Sequence, residues 1–384
     1  MGRGFSRAVW FLTGLDAGRD SGWDPGRDPG WDPGWDPAEQ TRAAQGACDV
    51  VSIDEVAKLA GVSTATVSRA LSGRGHVSPA SRERVQTAAE SLGYVVSSRA
   101  SSLASGRTQN VGVVVPFLDH WFFSTVLSGA SSALMRADYD ITLYNITADD
   151  SVRHEVFSTF LRRQRVDAVI AVSIELNDDE TGQLLALGLP VVAIGGPNPR
   201  LPTLTVDDLT VARLATEHLI GLGHRDIAHI GASAEFDRDF HIPTQRRLGF
   251  EQALTDAGIP PTTAFLEPAD FTVDGGFRAA KQLLGRPGPR PTAIFAASDE
   301  MAIGAILAAR ELGFHVPGDL SVVGIDGHEL GEFFQLTTVD QFPLGQGERA
   351  AGAILAQLEG EPDAAVGGDL PFELIVRGTT ARAR

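Results

Sequence analysis

Two arrangements of apolar residues divide this chain. Between Ser52 and Gly93 they recur at helical spacing, and beyond about residue 108 they gather into short continuous runs. In the first stretch the caps mark three helices. Ser52 stands three residues before Glu55, a capping box that opens a helix over Ile53 to Ala60. Gly61 follows, where the chain must turn with φ > 0. Ser63 can cap a second helix, Thr64 to Leu71, whose Val67 points to a shared core that the small Ala57 lets close up. Ser78-Pro79 opens a third, with proline in the first turn, where its missing N–H costs least. Val85, Ala88, Ala89 and Leu92 recur on that helix and Gly93 ends it. The spacing predicts an all-α helix-turn-helix unit over residues 49–94.

The later runs read as buried parallel strands with helical stretches between them. One set is Val111–Pro116, Ile141–Ile146, Ala168–Val172 and Val191–Ile194; a second is Ile227–Ile230, Ala264–Leu266, Ala293–Ala296 and Val322–Ile325. Two such sets imply two doubly wound parallel-sheet α/β subdomains with a cleft between them, over residues 108–384.

The outward side of the second helix has the composition of a groove reader. Thr64, Ala65, Ser68, Arg69 and Ser72 are short groups plus one arginine. Short side chains let a helix lie deep in the major groove, and an arginine fork matches the two acceptors of guanine. Ser52, Ser63, Ser68 and His76 are candidates to donate to phosphates, which fixes register without reading sequence. A small structural bundle with solvated serines is the competing reading.

Charge first argues against DNA binding, since the 384 residues carry a net −17. The distribution reverses that. Residues 1–48 hold −2, residues 49–107 hold +2, and the body after them holds −17. An acidic body with a mildly basic head favours contact through the head alone, with marked salt dependence. The only cysteine is Cys48, which excludes an internal disulfide framework and a cysteine-rich zinc site. No apolar run reaches the ~18–20 residues of a membrane span. Residues 1–48 read as a foreign tail. Gly22 to Pro37 is a near-tetrapeptide repeat of Pro, Gly, Asp and Trp, and four of the five tryptophans lie in this tail. The expectation is a disordered or non-native extension, with the working protein beginning near Val50 or Val51. Catalytic motifs fail: His154-Glu155 would need a histidine where Ser158 stands, and Gly73-Arg74-Gly75 follows a helix rather than a strand.

The run from Asp54 to Leu71, the segment His76 to Val85 and the Leu92-Gly93-Tyr94 ending resemble the headpiece of the lactose-repressor (LacI/GalR) family of bacterial transcription regulators, and the likeness continues through nearly all of residues 51 to 380. The resemblance implies that Thr64, Ala65 and Arg69 sit on a recognition helix, and that residues 95–107 form a hinge whose Leu103 wedges into the minor groove. Val96-Ser97 replace the usual Pro-Asn pair of that hinge. It implies a periplasmic-binding-protein-like core crossed by the chain near Gly223, near Gln341 and after Gly360. It also implies effector-binding roles for Phe122, Phe123, Asp207, Arg246, Phe271, Ser298 and Asp326. Taken without the resemblance, the phenylalanines equally suit a core, Arg246 a surface ion pair, and Asp207 and Asp326 helix caps. Gly195 and Ser298 stand where members often carry aspartate and asparagine.

The expected function is a ligand-responsive, sequence-specific DNA-binding regulator. It would be a cytoplasmic repressor of carbohydrate-use genes, released from a pseudopalindromic operator in double-stranded DNA by a sugar, with no cofactor, metal, membrane or catalysis. The alternative is a sugar-binding sensor whose head no longer binds DNA. One headpiece makes few contacts, and the ending RGTTARAR lacks the apolar heptads of a tetramerising helix, so a homodimer is expected.

Overall fold

A computed structural model describes residues 51–71, 75–94, 106–146, 150–232, 241–261, 265–361 and 367–384. They form two compact units that divide between Val95 and Val96. Ser72, Leu103, the 1–48 extension and most of the expected hinge lie outside the described residues.

The smaller unit holds α1 (Ile53–Ala60), α2 (Thr64–Leu71) and α3 (Pro79–Leu92). The capping box on α1 is closed both ways: the Glu55 N–H donates to Ser52 Oγ at 3.3 Å, and the Ser52 N–H donates to the Glu55 carboxylate at 2.7 Å. The Ser52 N–H and, at 2.9 Å, the Ser52 hydroxyl both donate to the Glu55 carboxylate and hold it below its ordinary value. Gly61 and Gly93 end α1 and α3 at φ 65° and 64°. Val56, Ala57, Ala60, Val67, Ala70, Val85, Ala88 and Ala89 fill the core. All eight are alanine or valine, so the helices pack closely with little side-chain volume between them.

The larger unit is two α/β lobes. The first contains β1 (Asn110–Val115), α4 (Trp121–Arg136), β2 (Asp140–Asn145), α5 (Asp150–Glu155), β3 (Ala168–Val172), α6 (Asp178–Ala186), β4 (Val191–Ile194) and β5 (Thr203–Thr205). The second contains α7 (Asp208–Gly221), β6 (Ile227–Ala232), α8 (Ile242–Asp256), β7 (Leu266–Ala269), α9 (Val273–Gly285), β8 (Ala293–Ala296), α10 (Asp299–Glu311), β9 (Ser321–Asp326), α11 (Gly331–Phe334) and β10 (Thr337–Asp340). The chain then returns to the first lobe as α12 (Pro343–Glu359) and β11 (Gly368–Asp369), and ends in the second as β12 (Glu373–Ile375). The sheet orders are β11-β5-β4-β3-β1-β2 and β12-β10-β9-β8-β6-β7, parallel except for the β10–β12 pair. In each sheet the order reverses beside the first strand of its lobe, between β1 and β3 and between β6 and β8. A doubly wound sheet offers its crevice there, at the carboxyl ends of the strands.

Where the chain enters the first lobe it is pinned. The Asp167 carboxylate accepts from the Thr108 N–H, the Thr108 hydroxyl and the Gln109 N–H at 2.8, 3.0 and 2.8 Å. The returning α12 lies so close to α4 that a Cβ added at Gly129 would stand 2.0 Å from the Leu344 carbonyl oxygen, and one at Gly347 1.9 Å from that of Val126. Only glycine fits at either crossing point.

Two expectations need correction. The first lobe-to-lobe crossing falls at Val206–Asp208 rather than near Gly223, because α7 packs its Val211, Ala212, Ala215 and Leu219 into the second lobe's core with Phe250, Phe295 and Val323. The second strand of the second lobe runs past its expected end at Leu266: its register pairs Leu266 with His229 and continues to Ala269, while Ala264 lies outside the described residues.

Candidate functional sites

The headpiece presents one flank of α2 to its own core and the other to solvent. Val67 and Ala70 are buried, while Thr64, Ala65, Ser68 and Arg69 are exposed. The exposed flank is what the amphipathic pattern leaves once the core residues are taken. Ser63 sits at the head of α2, where its Oγ accepts from the Thr66 N–H at 3.3 Å. Arg69 lies back along the helix, its Nε donating to the Ala65 carbonyl at 3.0 Å. Ser52 and His76 are exposed as well. The flank thus carries hydroxyls, a methyl and a guanidinium, the groups that read and position on a duplex.

The second site is a cavity between the lobes, about 740 Å³ of empty space counting its open mouth. The first lobe lines it from the carboxyl ends of β1, β3 and β4, through Phe117, His120, Phe122, Phe123, Ser173 and Gly195. Phe122 meets Phe123 edge to face at 5.5 Å between centroids, and Phe117 and Phe123 stand 5.9 Å apart. Burial holds the His120 imidazole below its ordinary value, against the opposing charge of Asp119, and so favours its neutral form.

The second lobe supplies charge. Arg246, on α8, is buried and donates from Nε to Asp208 at 2.7 Å and from a terminal nitrogen to the Ala297 carbonyl. Asp326 Oδ1 lies 3.8 Å from the same guanidinium and accepts from Gln341 Nε2 at 2.8 Å. Gln346 Nε2 in turn holds the Gln341 carbonyl at 2.8 Å. Burial pushes the carboxyls of Asp208 and Asp326 upward, with Arg246 opposing in both cases. Ser298 caps α10, accepting from the Met301 N–H at 3.2 Å, and Glu300 follows on the cavity wall. Behind them Asp299 is fully buried, accepts from the His328 N–H at 2.8 Å and is pushed up to about 7 by burial. Burial pushes Glu300 to about 7 as well. Three lining residues have positive φ without being glycine: Ser173 at 45°, Phe271 at 58° and Asp326 at 130°. Such backbone is costly, and it concentrates where side chains must be aimed rather than packed.

The lobes also touch beside the cavity. The Trp121 N–H donates to Glu300 Oε2 at 3.3 Å, and the Trp121 indole stacks on the His328 imidazole at 4.4 Å with 20° between planes.

Six of the seven expected effector residues therefore line one cavity: Phe122, Phe123, Arg246, Phe271, Ser298 and Asp326. The exception is Asp207. It is exposed and caps α7, its Oδ1 accepting from the Thr210 N–H at 3.0 Å and its Oδ2 from the Thr210 hydroxyl at 2.6 Å. Its neighbour Asp208 turns inward to Arg246 instead. The Asp-Asp pair gave no cue as to which carboxylate caps and which grips. Glu300, His120, Phe117, Gln341 and Gln346 were missed. Glu300 and His120 each stand two residues from one flagged in the sequence, Ser298 and Phe122, while the glutamines reach the cavity only through the second lobe crossing. Among the described residues no cluster of His, Cys, Asp and Glu is suited to hold a metal, and no helix is long and apolar enough to cross a membrane.

Comparison with known proteins covers both sites. Residues 52–97 match the model of bacterial regulatory proteins of the lacI family, and residues 216–380 match that of the periplasmic binding protein-like domain. The chain is 33% identical over 337 residues to the HTH-type transcriptional regulator CelR of Thermobifida fusca, covering 85% of this chain and 97% of that protein. Among solved structures it is similar to a complex of the transcriptional regulator CelR with cellobiose (TM-score 0.62, 31% identity, 86% of this chain and 99% of that one). It is also similar to the lac repressor dimer bound to operator and the anti-inducer ONPF (TM-score 0.73, 28% identity, 86% and 99%).

Proposed function

The chain belongs to the lacI family of bacterial regulatory proteins, and on that basis we propose that it is a transcription repressor released from its operator by a sugar. It binds double-stranded DNA sequence-specifically through α2, with Thr64, Ala65 and Arg69 toward base edges and Ser52, Ser63, Ser68 and His76 toward phosphates. Ser72 and Leu103, which lie outside the described residues, are proposed as further DNA contacts. It works as a homodimer on a pseudopalindrome, as the lac repressor dimer does on its operator. It acts by binding rather than by catalysis, and in the cytoplasm, where its DNA is.

The observation that carries this reading is the pairing, in one chain, of an exposed polar helix flank with a cavity built for hydroxyls. Carboxylates accept from hydroxyl groups, the Arg246 fork donates to them, and ring faces stack on the apolar C–H faces of a sugar. The cellobiose held by the CelR structure supports the same class of ligand. The mechanism is a population shift: a ligand that touches both lobes favours one arrangement of the core, and operator DNA favours another.

Arg69→Ala in a mobility-shift assay on genomic fragments tests the DNA half. The expected result is sequence-selective binding by the wild type and a loss of about 1–3 kcal/mol of discrimination in the variant. Equal discrimination by both would remove Arg69 from base reading, and a wild type without sequence preference at any salt would end the regulator reading. A thermal-shift screen of mono- and disaccharides tests the ligand half.

A further inference from the structure

The cavity wall is electrically one-sided. Among the described residues it presents the carboxyls of Asp208, Glu300 and Asp326 against the single guanidinium of Arg246, with Asp299 buried behind them. That guanidinium is committed: Asp208 takes its Nε, the Ala297 carbonyl takes a terminal nitrogen, and Asp326 stands 3.8 Å away. Glu300 has no ion-pair partner among the described residues; its one hydrogen bond comes from the Trp121 N–H. The rings in the cavity add to the bias. Phe117, Phe122, Phe123 and Phe271 line the cavity, and an aromatic face carries partial negative charge that favours C–H groups and cations over anions. An anionic ligand would therefore meet one committed cation, carboxyls that burial already disfavours in their charged form and that a second anion would force to stay protonated, and unfavourable ring faces, with little water to screen them.

We infer that the cavity selects uncharged, unphosphorylated sugars and rejects phosphorylated or acidic ones, with Glu300 as the residue that sets this selectivity. The inference rests on the sugar reading and narrows it. A phosphate has no donor set waiting for it here, whereas hydroxyls find the free acceptor positions of Glu300 and Asp326. Glu300 also borders the Trp121 contact between the lobes, so a hydroxyl bound to it sits where lobe closure is felt.

Matched ligand pairs test this on the full chain by thermal shift: glucose against glucose 6-phosphate, cellobiose against cellobionate, and adenosine against adenosine monophosphate. In any pair that raises the melting temperature, the neutral member is expected to bind at least tenfold more tightly, and Glu300→Gln is expected to strengthen the anionic member about tenfold. Tighter binding of an anionic member overturns the inference and leaves the sugar reading standing. A shift by adenosine alone overturns the sugar reading and leaves the charge selectivity standing. A ligand-free readout covers the case in which no pair shifts. The difference in fluorescence quenching between wild type and Trp121→Phe isolates Trp121 from the four tail tryptophans. Caesium is expected to quench it more strongly than iodide at equal ionic strength, with Glu300→Gln bringing the two together; equal or iodide-favoured quenching in the wild type overturns the inference.

Discussion

The two lobes of the core share a topology but do different work at the cavity. The first contributes mostly apolar surface: Phe117, Phe122 and Phe123 with the small Ser173 and Gly195. The second contributes the Arg246–Asp208–Asp326 cluster with Ser298 and Glu300, beside the apolar Ile242, Pro243 and Phe271. Neither wall recognises a sugar alone, because rings supply contact area without orientation and charged groups supply orientation without desolvation. A ligand that uses both gains most when the lobes are together, and that differential affinity is what moves a two-state equilibrium.

The sharpest way to break this division is at the second lobe. Arg246→Ala leaves Asp208 and Asp326 buried without their cation, so unfolding measurements should show a loss of about 3–5 kcal/mol together with loss of the sugar response. A fully stable variant would mean that the cluster is not the electrostatic centre of the site. Asp326→Asn keeps the shape and removes the charge. Isothermal titration should give about ten- to a hundredfold weaker sugar binding, as for a lost hydrogen bond to a charged group. Phe122→Leu probes the apolar wall and should cost binding only about three- to tenfold, the scale of an aromatic face contact. An effect as large as that of Asp326→Asn would erase the contrast between the walls. Asp207→Ala should remove about 1 kcal/mol of stability as a lost cap and leave sugar affinity unchanged; weakened binding would return Asp207 to the site.

Solution pH sharpens the same contrast. The carboxyls of Asp299 and Glu300, both in the second lobe, are pushed up to about 7. A raised carboxyl contributes stability that is full below its ordinary value and drains away as pH rises through the shifted one. His229, stacked between Phe250 and Phe295, is lowered to about 4 by burial, so its contribution is lost as pH falls from about 6.5 through 4. Between the ordinary and the shifted values, from about pH 4.5 to 7, the melting temperature should therefore fall as pH rises, and Asp299→Asn should flatten that decline. An unchanged decline would place its source outside this cluster.

Legibility in the sequence followed how local each constraint was. The caps at Ser52, Gly61, Ser78 and Gly93 are set by neighbours within four residues, and the three headpiece helices stand where those residues predict. Most buried strands announced themselves as apolar runs; the exceptions are β7, where Glu267 and Pro268 interrupt the pattern, and β5 and β10, whose threonines hid them. The crossing at Val206–Asp208 was misplaced because it depends on which lobe receives α7, a tertiary fact that the glycine at 223 only imitates. For the cavity, the resemblance located residues at strand ends but could not separate Asp207 from Asp208. One caps and the other grips, and only the direction in which the chain enters α7 decides between them. Gln341 and Gln346 had no local signal, since Gln341 reaches Asp326, and Gln346 the Gln341 carbonyl, from the segment that returns to the first lobe.

Linkage between the two ligands tests the central claim most directly. Sugar affinity is measured by titration of the full chain, alone and saturated with a selected operator fragment, and operator affinity is measured with and without sugar. Each ligand is expected to weaken the other by the same factor, as reciprocity requires. Sugar affinity that is identical with and without operator would contradict it, as would a chain that binds no DNA fragment in preference to another.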